Sequence, residues 1–127
     1  MPLVTLTLSD AQPATFKTAV LAGVHAALVA SGVPPTDRFQ RVLALAPEDF
    51  RFDPAYPDAA RPRGEDFVLI EILLSVGRSV KVKRQILADI IANLRADPGL
   101  DPEHVFVVFK ETQWENWAFA GGRQIHV

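Results

Sequence analysis

The chain has 127 residues, 49% of them apolar and 22% charged, which suits one domain with a packed core. Thirteen basic and 15 acidic residues leave a net charge of −2, without the basic excess of nucleic-acid-binding domains. The absence of cysteine excludes disulfides, thiolate metal sites and cysteine nucleophiles. The three histidines, His25, His104 and His126, are far apart and match no metal-ligand spacing. No apolar stretch reaches the roughly 18 residues of a membrane span. The N-terminus lacks the basic and long apolar regions of a signal peptide, so a cytoplasmic protein is expected.

The chain opens "MPLVTLTLSD". Pro2 to Leu8 alternates apolar and Thr positions and is predicted to be a strand. A helix is expected next, capped by Ser9 or Asp10, with Phe16, Val20, Val24 and Leu28 on one face and Gly32 after its end. The turn "VPPTD" leads into a second strand, Arg38 to Ala46. Residues 47–66 carry four prolines and many charges, and read as a long surface excursion with a short extended piece at Phe50 to Phe52. The almost wholly apolar "FVLIEILLS", Phe67 to Ser75, predicts a buried strand. A second helix follows, with Ser79 as its cap and Val82, Ile86, Ile90 and Leu94 on one face. Val105 to Glu111 forms a fourth predicted strand, and 112–127 is a tail with two tryptophans.

This order is β-α-β, excursion, β-α-β within a single domain, 1–127. The first unit covers 2–46, the excursion 47–66, the second unit 67–111 and the tail 112–127. The second unit repeats the first at an offset of about 65 residues, a tandem duplication. Right-handed crossovers make the two strands of each unit parallel. The expected fold is α+β: a four-stranded mixed sheet with two helices on one face. Nothing else in the chain is expected to cover the other face. Both faces of the third strand are mostly apolar, so association with further subunits is predicted.

That topology gives the polar residues a place. Pro2 starts strand one and Asp37 precedes strand two, so parallel pairing brings them to one end of the sheet. Arg78 follows strand three. If the second unit runs antiparallel to the first, Arg78 joins them at the start of the second helix, where an anion is favoured. An arginine fork suits a substrate carboxylate. If Met1 is removed, as small second residues usually permit, Pro2 becomes a secondary amine. An α-amine titrates near pH 7.7–8.0. A cation such as Arg78 lowers that value and a carboxylate such as Asp37 raises it, so base, acid and iminium-forming nucleophile all stay open. If Met1 is kept, Pro2 is an amide with no basic nitrogen.

The segments "MPLV", "GVPPTDRFQ", "LLSVGRSVKVKRQIL", "DPEHVFV" and "ENWAFAGG", in that order, resemble the tautomerase superfamily of amino-terminal-proline enzymes. The resemblance is closest to the group that includes malonate semialdehyde decarboxylase. It implies a homotrimer of tautomerase-like subunits and a catalytic Pro2. It also implies that Asp37 assists Pro2 or a water, that Arg78 binds the substrate carboxylate, and that Trp117 and Phe119 wall the pocket, while they also serve core or interface. No cofactor or metal is needed. The decarboxylases carry two arginines in an Arg-x-Arg pattern, and here Val76 replaces the first. In the related cis-3-chloroacrylic acid dehalogenase, Ser75 stands where the first of two arginines would be. The expectation is therefore a Pro2-dependent tautomerase of a small 2-oxo carboxylate such as phenylpyruvate. A decarboxylase or hydratase of a 3-oxo acid is the alternative among enzymes, and a non-catalytic trimeric binding module the alternative of another class. His25 is expected to be a satisfied or surface histidine. Arg38 and Arg41 are expected to face solvent or another subunit, and Arg61 and Arg63 to be solvated, with a lid contact to an anionic substrate as the alternative.

Overall fold

A computed structural model describes residues 1–124; His126 lies outside the described residues. The elements are β1 (Leu3–Ser9), α1 (Ala14–Ala30), β2 (Phe39–Leu45), β3 (Val68–Ser75), α2 (Val80–Ala96) and β4 (Val105–Thr112), with short 3-10 turns at Pro47–Asp49, Pro102–His104 and Trp114–Asn116. The sheet order is β2-β1-β3-β4. β1 pairs parallel with β2 and β3 parallel with β4, while β1 and β3 run antiparallel. The two β-α-β units thus meet head to tail, and the start of β1, the start of β2 and the end of β3 share one end of the sheet.

Alternation along the strands divides the two faces. Val4, Leu6 and Leu8 of β1 and Val68, Ile70, Ile72 and Leu74 of β3 pack under the helices. From above they meet Val20, Val24 and Leu28 of α1 and Ile86, Ile90 and Leu94 of α2, all fully buried. Phe16 and Val82 continue these stripes at the partly covered margin. The helices cross closely at Gly23, where an added Cβ would lie 2.8 Å from Leu94 Cδ2, and Asn93 Nδ2 donates to the Gly23 carbonyl at 2.9 Å. Ser79 caps α2 as expected, accepting from the Val82 N–H. Neither Ser9 nor Asp10 caps α1: residues 10–12 turn after β1, and the N-cap is Pro13, which is extended and makes no side-chain cap hydrogen bond. Ser9 instead accepts from the Ala11 N–H in the preceding turn.

The excursion is anchored to the sheet. The piece from Phe50 to Phe52 begins with extended backbone at Phe50 and joins no strand. Its rings build an aromatic cluster with Phe67 and Phe106, with Phe52 and Phe67 4.4 Å apart between centroids. The chain therefore covers one corner of the sheet face that was expected to be bare. Arg61 is exposed to solvent as expected, and both arginines also make specific contacts. Arg61 forms a two-pronged pair with Asp101, Nη2 to Oδ1 at 2.7 Å, which holds the Asp101 carboxyl well below the usual carboxylate range. Arg63 donates to the Asp53 carbonyl at 2.9 Å and lies over the Phe67 ring. The Ala60 N–H donates to Glu103, and His104 Nε2 meets the Pro62 carbonyl at 3.1 Å. The reason is topological: the excursion passes the turn before β4, where a short acidic run waits.

The rest of the open face remains apolar at its edges. Phe39 is 51% exposed, Leu43 44% and Phe106 47%. Among the described residues no helix is long and apolar enough to cross a membrane.

Candidate active site at the amino-terminal end of the sheet

β1 begins at Leu3, which pairs with Phe39 on one side and Leu73 on the other. Pro2 therefore sits between the turn that carries Asp37 and the end of β3. It is buried. The Asp37 N–H donates to the Pro34 carbonyl at 3.0 Å, which fixes the turn before β2. Its carboxylate is turned to the chain terminus: Oδ2 lies 2.9 Å from the Met1 nitrogen, with the two side chains only 12% and 15% exposed. Three bonds, at most about 4.3 Å of chain, separate that nitrogen from the Pro2 nitrogen.

On the other side, β3 ends at Ser75. The Val76 N–H extends the ladder to the Thr112 carbonyl at 3.0 Å. Gly77 then takes φ +120°, a conformation L side chains rarely adopt, and this turns the chain sharply into α2. Arg78 emerges from that turn half-buried, and its Nη1 reaches back toward the Ser75 carbonyl at 3.4 Å. Among the described residues no carboxylate pairs with Arg78 in a salt bridge, so its fork keeps donors to offer. Ser75 is completely buried, and its Oγ has no hydrogen-bond partner among the described residues.

The tail brings two aromatic rings to Phe39. Trp117 and Phe119 stack with an interplanar angle of 4° and centroids 5.6 Å apart, and Phe119 lies 6.0 Å from Phe39 at the start of β2. Trp117 Nε1 is buried without a hydrogen-bond partner among the described residues. The structure thus brings Asp37 to the residue before Pro2, sets Arg78 at the same sheet end, and lays Trp117 and Phe119 beside Phe39. Phe39 and Ser75 were not singled out as site residues from the sequence. Their burial partners come from the tail and from β-sheet register, neither of which a local pattern encodes. His25 is a satisfied core histidine, 7% exposed, with Nε2 2.9 Å from the Pro35 carbonyl. Arg41 donates to Thr5 Oγ1 at 2.8 Å across β1 and β2. No group of His, Asp and Glu among the described residues could hold a metal ion.

Residues 37–120, which run from Asp37 through β2, β3 and β4 to the aromatic tail, match the profile of a family described as tautomerase enzyme. The chain belongs to that tautomerase family. Its fold agrees with solved relatives. FG41 malonate semialdehyde decarboxylase, in a structure inhibited by 3-bromopropiolate, is 28% identical with a TM-score of 0.86, over 96% of this chain and 92% of that one. A malonate semialdehyde decarboxylase with decarboxylase and hydratase activities is 26% identical with a TM-score of 0.87, over 96% and 93%. A fused 4-OT that forms a symmetric trimer is 21% identical with a TM-score of 0.76, over 98% and 97%, and shares the fold. A comparison with curated protein sequences returned no match.

Proposed function

We propose that the protein is a Pro2-dependent tautomerase that interconverts the keto and enol forms of a small 2-oxo carboxylate. The observation that carries this reading is the junction of Pro2, Asp37 and Arg78 at one end of the sheet in a chain of the tautomerase family. In the reading, removal of Met1 frees the Pro2 nitrogen as a secondary amine. Arg78 binds the substrate carboxylate. The neutral amine takes the proton from C3, negative charge develops on the C2 oxygen, and the protonated amine delivers a proton to that oxygen. The reverse sequence returns the keto form, so atoms and charge balance. Asp37, already turned toward the terminal amine, holds the ammonium stage and orients the nitrogen. The stacked Trp117 and Phe119 exclude water from one side. The apolar rim of the open face, Phe39, Leu43 and Phe106, supports a homotrimer that buries it.

A second enzymatic reading has its own support. The two malonate semialdehyde decarboxylases are the relatives above with 28% and 26% identity, and they align over nearly the whole chain. Against decarboxylation stands Val76, a half-buried apolar residue where the decarboxylase pattern has a second arginine.

The test uses chain from which Met1 has been lost, as checked by mass spectrometry. Phenylpyruvate tautomerisation that disappears in Pro2→Ala supports the proposal; full activity in Pro2→Ala refutes it. Coupled assay with malonate semialdehyde separates the decarboxylase reading. Labelling of the Pro2 nitrogen by 3-bromopropiolate locates the reactive amine.

A further inference from the structure

Ser75 combines three observations that packing alone does not explain. It is fully buried, and its Oγ has no partner among the described residues. A buried hydroxyl without a partner costs stability, so such groups are rare unless they serve another purpose. Its register is the second observation. Leu3 pairs with Leu73 in the antiparallel β1–β3 ladder, so two residues further out Ser75 stands opposite Met1, the residue whose loss would open the Pro2 nitrogen. Strand alternation also sets Ser75 with Leu69, Glu71 and Leu73 on the sheet face away from the helices, which is the face that carries Phe39. The third observation is Arg78, whose guanidinium reaches toward the Ser75 carbonyl. Ser75 therefore lies between the amine position and the guanidinium.

That order matches the order of atoms in a 2-oxo acid. With the carboxylate on Arg78 and C3 at Pro2, the atom between them is C2, with its oxygen. We infer that the Ser75 hydroxyl donates a hydrogen bond to the C2 oxygen and stabilises the charge that gathers there as C3 loses its proton. The inference rests on the Pro2 tautomerase reading and deepens it by naming the group that favours the enolate. No covalent bond to Ser75 forms, and no proton leaves it. The hydrogen bond strengthens as the oxygen becomes anionic, so the effect belongs to the transition state more than to substrate binding.

The substitution Ser75→Ala removes the hydroxyl and little else. Wild type, Pro2→Ala and Ser75→Ala, all with Met1 removed, are compared with phenylpyruvate in one assay, and their thermal midpoints are measured. The expected result for Ser75→Ala is a kcat lower by about 10²-fold, KM within about twofold of wild type, and a Tm equal to or above wild type. A wild-type kcat in Ser75→Ala overturns the assignment and leaves the Pro2 reading standing. A raised KM with kcat unchanged overturns it, because the hydroxyl then binds substrate and transition state alike. A lower kcat together with a lower Tm overturns it in favour of a packing role. Equal activity in Pro2→Ala and wild type refutes the tautomerase reading, and the Ser75 assignment with it.

Discussion

The Met1 nitrogen lies 2.9 Å from Asp37 Oδ2, and both groups are shielded from bulk water. The carboxylate thus already holds the terminal ammonium of the chain, one residue ahead of Pro2. Loss of Met1 moves the terminal charge by three bonds and changes its chemistry, from a primary ammonium to a secondary one in a ring.

The first prediction follows from that displacement. A chain with an uncleaved extension ahead of Met1 keeps Pro2 as an amide, which has no basic nitrogen. Its tautomerase activity is expected to fall by at least about 10²-fold relative to chain that begins at Pro2, while its fold, read by circular dichroism and Tm, stays intact. Equal activity in the two forms would exclude Pro2 as the base.

Most of this geometry was legible in the sequence, and the reasons are specific. The tandem β-α-β repeat fixes which strand ends meet, so Pro2, Asp37 and Arg78 could be assigned to one sheet end before any coordinates. Ser79 could be recognised as a cap because capping is local. The cap of α1 differs from expectation because residues 10–12 form a turn that leaves Ser9 and Asp10 short of the cap position, which Pro13 takes. The partner of Arg61 is not legible locally because Asp101 lies 40 residues away in sequence, whereas Arg63 meets Asp53 and Phe67 close to its own position. Ser75 was noted only for the arginine it replaces. Its unpartnered hydroxyl becomes visible only once register and burial are known.

Val76 offers a gain-of-function test. Its backbone N–H bonds to the Thr112 carbonyl, so a change of side chain leaves the ladder intact. Val76→Arg restores the Arg-x-Arg spacing with Arg78. One charge-assisted hydrogen bond contributes about 1.5–3 kcal/mol, so kcat/KM for decarboxylation of malonate semialdehyde is expected to rise about tenfold or more. An unchanged rate in a variant with wild-type Tm would mean that the missing arginine does not limit that reaction.

The open sheet face predicts assembly. Leu43 and Phe106 stand exposed toward opposite edges, on β2 and β4. Lysine at either position makes burial of that edge in a trimer costly, because a charge must then lose its water. Light scattering coupled to size-exclusion chromatography is expected to show a trimer for wild type and smaller species for Leu43→Lys and Phe106→Lys. A wild-type monomer would remove the trimer from the proposal.

Helix packing makes a stability prediction at Gly23. Alanine there gains helix propensity of about 1 kcal/mol but meets Leu94 Cδ2 at 2.8 Å and Asn93 Cβ at 3.3 Å. Leu94 is fully buried and has little room to yield. The larger, β-branched Gly23→Val gains less propensity and presses harder. It is expected to destabilise by about 1–3 kcal/mol through overpacking, measured by urea unfolding. An unchanged midpoint would show that the two helices part there without cost.

The excursion is held by a charge pair, and its pH dependence has a definite sign. Arg61 depresses the Asp101 carboxyl below its ordinary value, with help from the Glu103 N–H. A group whose folded pKa is depressed contributes stability above its unfolded pKa, near 3.9, and loses it as pH falls through the folded value. The pair is therefore intact throughout the neutral range and opens only in strong acid, while added salt screens its partly exposed charges. Trypsin reports on it at neutral pH: the bond after Arg61 is blocked by Pro62, but Arg63–Gly64 is cleavable once the excursion lifts. Asp101→Asn is expected to speed cleavage at Arg63 several-fold at neutral pH without lowering the global Tm by more than a few degrees. Equal cleavage rates in variant and wild type would show that the Phe50, Phe52 and Phe67 cluster, rather than the Arg61–Asp101 pair, holds the excursion down.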